Sequence, residues 1–236
     1  MPAPGWRSSR QDHAARARAA GDLAQYALGV RVAGVYWSFA GEPERALEYT
    51  TEELALARGR SNVHDLAMAL LDHASALIAL ERLDEAEDFL HELVPLLPQL
   101  GSSDLDADGV FDEFAAARGD WVRAARALLA NLRRAKRNMG LKAISLRWIA
   151  IALARLGADE DALELATVAN AICVSIGEAS SDPFTERYGS ALDEAHKRLG
   201  PDSAARATRR GAALPEADSV TRAAEMVQAA CVTRAT

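Results

Sequence analysis

The chain has 236 residues, half of them hydrophobic but only 6% aromatic, and alanine and leucine make up the difference; that balance favours close-packed helices over a β-rich core. A net charge of -7 and a pI near 5.3 exclude a whole-chain nucleic-acid binder, which needs a basic footprint. Cys173 and Cys231 are too few for a disulfide framework and lack the C-x-x-C spacing of a redox or zinc site.

Residues 1–20 form a basic tail with no apolar run long enough for a secretory signal. No stretch of about 18 apolar residues suggests a membrane span, so the expected location is the cytoplasm. Apolar periodicity then predicts eight helices, over 22–40, 43–58, 62–80, 83–97, 105–118, 121–138, 142–156 and 159–176.

These helices repeat in pairs. Ala46, Ala86, Ala124 and Ala162 fall in register on the second helix of each pair, spaced by 40, 38 and 38 residues. Five positions earlier stand Gly41, Gly119 and Gly157, where a helix end calls for left-handed backbone. Glu81 holds that place in the second pair. Small residues such as Gly34 against Ala46 and Ala150 against Ala162 let the paired backbones approach, while Trp37, Leu77 and Leu153 fill the groove four residues before the turn. Pro43 suits a first helical position.

With a small residue on the first helix, a turn glycine and an alanine on the second, the pattern resembles tetratricopeptide repeats. It departs from them at Asp112, which replaces a small residue, and at Glu53, Leu93 and Asn131, which replace a later alanine. The resemblance implies an all-α, tetratricopeptide-like superhelix of four helix pairs over residues 21–180. Residues 181–236 are expected to form C-terminal capping helices and a tail. In that register Arg31, Ser75, Glu113, Arg147 and Ile151 are the expected lining of a partner-binding groove.

Between the second and third pairs, Asp104, Asp106, Asp108 and Gly109 reproduce the opening of a calcium loop. Ala115 stands where the bidentate glutamate belongs, so the favoured role is a helix cap. From Trp121 to Ala158 there is no acidic residue, and Arg133, Arg134, Lys136 and Arg137 form the densest part of a basic run. Complementary faces of adjacent repeats explain such a run better than nucleic-acid binding, because aromatic interleaving is missing. The histidines are scattered, and no phosphate loop, nucleophile elbow or H-E-x-x-H helix occurs, so no catalytic residue, metal or cofactor is expected.

Beyond Ala162 the chain is similar to the C-terminal end of the large ATP-binding LuxR-type and related tetratricopeptide regulators of actinobacteria. Ala169, Ala171 and Gly177 follow the first part of that pattern; Arg187, Ala191, Leu192, Ala195, Leu199 and Gly200 the second; Gly211, Leu214, Ala223 and Ala224 the close. His196 stands where arginine is common. The resemblance implies a sensor or scaffold arm of a transcriptional regulator, normally joined to an ATPase module that this sequence lacks. The expected function is therefore a non-enzymatic protein or peptide interaction module, with a small-molecule effector sensor as the alternative. Neither direct nucleic-acid binding nor a membrane contact is expected, and a homo-oligomer is compatible with the sequence.

Overall fold

The computed structural model describes residues 22–100, 107–135, 138–177 and 182–233, and all the regular elements among them are helical, with no strand. The helices are α1 (Leu23–Phe39), α2 (Pro43–Arg58), α3 (Val63–Ala79), α4 (Leu83–Leu93), α5 (Ala107–Ala117), α6 (Trp121–Ala135), α7 (Met139–Arg155), α8 (Asp159–Ile176), α9 (Pro183–Tyr188), α10 (Ser190–Ala213) and α11 (Ser219–Thr233). Two compact units divide between Val110 and Phe111, inside α5.

Four helix pairs turn in the same way. Gly41, Glu81, Gly119 and Gly157 have φ of 72°, 59°, 77° and 83°. At each turn the next N–H reaches back five residues, from Glu42 to the Trp37 carbonyl, Arg82 to Leu77, Asp120 to Ala115 and Ala158 to Leu153. This closure satisfies carbonyls that a helix end otherwise orphans. Ala46, Ala86, Ala124 and Ala162 are all completely buried, so the register predicted from sequence marks the contact between paired helices. Around Gly41, Gly119 and Gly157 a Cβ would meet nothing within 4 Å, so glycine is favoured there by backbone conformation alone.

In the first unit α1 packs on α2, α2 on α3 and α3 on α4. Asp22 caps α1 through the Gln25 N–H, and Asn62 caps α3 through those of His64 and Asp65. Gly34 approaches Thr50 and Tyr49, with its absent Cβ 3.2 Å from Thr50 Cγ2, a helical turn beyond the Ala46 expected from the register. Leu70, Leu77, Ile78 and Leu93 are fully enclosed, each burial contributing about 1.5–3 kcal/mol. The α-helix expected to reach residue 97 stops at Leu93 and continues as a 3₁₀ turn, Val94–Gln99. Pro95 and Pro98 lack the N–H groups that would continue the α ladder.

In the second unit α7 is covered by α6, α8, α9, α10 and α11. An aromatic chain ties α9 down: Trp121 meets Tyr188 edge-on at 5.3 Å, Tyr188 meets Phe184 at 4.8 Å, and Phe184 stacks on Trp148 at 4.7 Å. The Trp148 indole N–H donates to Asp182, whose carboxylate also caps α9. Helix α10 breaks at Gly200, where φ is 73° and ψ 168°, and Pro201 restarts it.

The same helix runs along α8, held by one buried carboxylate. Glu164 is 4% exposed and accepts from Arg210 Nε at 2.7 Å and Arg222 Nε at 2.9 Å. Burial alone would raise its pKa, but the hydrogen bonds from Arg222 and Arg210 outweigh that and hold it below the ordinary value. Gly211 lies inside α10, which runs on to Ala213. A Cβ on Gly211 would sit 2.3 Å from the Glu164 carbonyl oxygen and 2.8 Å from Thr167 Cβ, so its role is close approach to α8.

Two substitutions test these contacts. Glu81→Gly relieves a left-handed non-glycine residue and should stabilise the protein by about 0.5–1 kcal/mol in urea unfolding. Gly211→Ala pushes α10 off α8 and should destabilise by about 2 kcal/mol or more; an unchanged urea midpoint would refute the close-approach role.

Candidate functional site

Asp22, by capping α1, fixes a helix whose residues 24, 27, 28 and 31 share one face. That face, with Glu53 and Ala57 of α2, Arg60, and Asp65 and Met68 of α3, encloses a cavity of about 260 Å³. Its floor is charged. Arg31 Nε lies 3.3 Å from Asp72 Oδ2 and 3.8 Å from Glu53 Oε1. Arg60 is committed elsewhere, at 3.1 Å to Asp65 and 2.6 Å to the Leu23 carbonyl.

Glu53 is the residue that stands out. It is only 5% exposed, and its Oε2 has no hydrogen-bond partner, an arrangement that costs free energy for an ionised carboxylate. Burial, and the nearby Asp72, push its pKa up to about 8 against the opposing pull of Arg31 and with a further push from Asp65. Burial also raises Asp72, offset by Arg31. One turn earlier on α2, Thr50 Oγ1 contacts His73 Nδ1 at 3.2 Å, and burial lowers the histidine's pKa.

Of the five residues expected to line a groove, Arg31 lines this cavity. Ser75 lies half-buried on α3 and is not part of its lining. Glu113 belongs to the second unit, 4.0 Å from Arg187; burial raises its pKa, Arg187 opposes and Asp182 adds to the rise. Arg147 is 6% exposed and donates to Asn170 Oδ1 at 2.8 Å, and Ile151 has no exposure at all. Both are interior because α7 is enclosed by its neighbours.

The basic run is likewise divided. Lys142 is buried and paired with Glu216, and Arg155 reaches Glu194 at 3.4 Å, whereas Arg123, Arg126 and Arg133 are exposed on α6. The side chain of Arg134, all of Lys136 and Arg137, and the Asp104, Asp106 and Asp108 carboxylates lie outside the described residues. Among the described residues no three His, Cys, Asp or Glu side chains are grouped to hold a metal, and no helix is long and apolar enough to cross a membrane.

Beside the cavity, α1 presents Leu28, Val32, Val35, Tyr36 and Phe39 as an apolar trough of about 380 Å³. Leu28 is 53% and Phe39 76% exposed. The spacing of these residues, at three, four and seven, makes one ridge along the helix.

Sequence reading passed over Glu53 as a departure from the repeat, although an acid at the position where the fourth pair buries Ala169 is itself a signal. The third pair carries the same signal twice: Asn131 donates to Asp112 at 2.6 Å, so its two departures from the pattern bond to each other. Comparison with models of known families, with curated proteins and with solved structures found no match.

The raised pKa of Glu53 has a defined pH signature. Between about 4.5 and about 8 the folded protein holds a proton that the unfolded chain has released, so stability falls as pH rises, by at most about 1.4 kcal/mol per pH unit. Glu53→Gln carries no such proton. Its urea midpoint should exceed that of the native protein increasingly from pH 5 to pH 8; parallel profiles would refute the assignment.

Proposed function

We propose that this chain is a cytoplasmic protein-interaction module that acts by binding and performs no chemistry of its own. The observation that carries this reading is the exposed apolar ridge on α1. A monomer seldom leaves large apolar side chains together in water, and Leu28, Val32, Val35 and Phe39 follow the anchor spacing with which one amphipathic helix receives another. The partner favoured by that spacing is an amphipathic helical segment of another polypeptide.

The four identical turns and buried alanines support a tetratricopeptide-like array whose pairs stack into a superhelix, the architecture that most often serves such docking. The C-terminal pattern around Ala191, Leu199 and Gly200 supports a place as the sensor or scaffold arm of a LuxR-like regulatory system.

A photo-crosslinking amino acid, p-benzoyl-phenylalanine, placed at position 39 tests the docking. The expected product joins the chain to a second polypeptide, and a synthetic peptide covering the joined segment should gain helicity on binding. Phe39→Asp, at an exposed site, should weaken that peptide at least about tenfold without changing the melting temperature. Crosslinks only to a second copy, or only to residues 1–21 of the same chain, would overturn the reading.

A further inference from the structure

We infer that the outer face of α6 is a docking surface for an acidic polypeptide segment, whose Asp and Glu carboxylates pair with Arg123, Arg126 and Arg133. The inference is independent of the docking reading, since the α1 trough belongs to the first unit and α6 to the second.

The sequence of α6 gives it two unlike faces. Ala124, Ala125, Leu128, Leu129 and Leu132 are buried in the core of the unit, while Arg123, Arg126, Ala130 and Arg133 are exposed. At about 100° and about 1.5 Å per residue, the four exposed positions fall within an arc of about 80° and run about 15 Å along the helix. They form one straight basic row, with the small Ala130 inside it.

Nothing on the protein answers this row. Among the described residues none of the three guanidinium groups is paired with a carboxylate. Asp120, just ahead of the helix, accepts from the Arg123 backbone N–H at 3.0 Å and caps the helix start. Arg58, Arg82, Arg198 and Arg210, by contrast, each have a carboxylate oxygen at 2.7 Å or less. Lys197, Arg206 and Arg209 are exposed on α10 too, but that helix also carries Asp193, Glu194 and Asp202, whereas no acid occurs from Trp121 to Ala158. Arg123 and Arg126 stand three residues apart, a spacing at which like charges repel, so the row carries a repulsion that a bound anion relieves.

The chemistry of the face and the charge of the rest select the anion. Guanidinium forks suit carboxylate and phosphate oxygens alike. The chain has 34 acidic against 27 basic residues, and every acid lies outside 121–158, so a long polyanion reaching beyond α6 meets a negative molecule. A nucleic acid also draws on aromatic stacking, and Trp121, the aromatic residue of α6, is already engaged edge-on with Tyr188. A short acidic segment meets the arginines alone.

The test is fluorescence anisotropy of fluorescein-labelled deca-glutamate titrated with the full chain, beside a labelled Gly-Ser repeat peptide of equal length and a labelled oligothymidine. Deca-glutamate is expected to bind with a Kd below about 1 mM near about 50 mM salt, and at least about threefold more weakly near about 200 mM. The Gly-Ser peptide should not bind. Combining Arg123→Glu, Arg126→Glu and Arg133→Glu should weaken deca-glutamate at least about tenfold without lowering the melting temperature, because all three side chains are exposed. Reversing Lys197, Arg206 and Arg209 to glutamate changes the net charge equally and should alter affinity by less than about twofold, as should Phe39→Asp. An equal loss in the α10 variant would reduce the binding to net charge and overturn the inference. So would tighter binding of oligothymidine than of deca-glutamate, cosedimentation with phosphatidylserine vesicles that the α6 variant abolishes, self-association of the chain through the same three arginines, or no binding of deca-glutamate.

Discussion

Each helix pair closes through a residue in the left-handed region followed, five positions on, by an alanine with no exposed surface. The turn reverses the chain within a few residues, and the alanine lets the two backbones lie close enough to share one apolar seam. A larger side chain at the alanine would prise the pair apart, and a β-branched residue at the turn would have to bear a positive φ. The rest of the architecture follows from repetition of this constraint. Glu81 tolerates the conformation because its side chain stands in solvent, so the strain is backbone strain alone.

Polar groups in the interior are handled by pairing across helices. Glu164 is held by two arginines from α10 and α11, 46 and 58 residues away along the chain, which makes the clamp a tertiary device. Asn131 donates to Asp112 Oδ2 between α5 and α6. Glu53 shares Arg31 with Asp72 and leaves one oxygen without a hydrogen bond. Buried carboxylates with both oxygens engaged stabilise a fold, while one left incomplete costs free energy when ionised.

Among the described residues helix α1 packs on α2 and α3 along part of its circumference, and it carries both candidate surfaces. Its inner stripe of Tyr26, Val30, Gly34 and Trp37 is buried, while the charged cavity and the trough ending at Phe39 adjoin elsewhere on its surface and share Leu28 and Arg31. Helix α7 is as apolar and repeats the same signals, yet Arg147 and Ile151 on it are interior, since five helices surround it.

The helices, the four turns and the buried register alanines were legible from the amino-acid sequence, because periodicity, a glycine at a helix end and the size limit of a close contact are local constraints that each pair must meet for itself. Even the departures were visible, since Asp112 occupies a position that holds a small residue in the other pairs, and Glu53 and Asn131 one that holds alanine in the fourth. Which departures complement each other was decided only by the tertiary structure, because the Asp112 and Asn131 partnership, the Glu164 clamp and the Glu53, Arg31 and Asp72 cluster join residues that are distant along the chain. Exposure was likewise a tertiary matter. Arg31 and Arg147 hold comparable places on the first helices of their pairs, and only the number of helices packed around each separates a cavity wall from a buried hydrogen-bond donor.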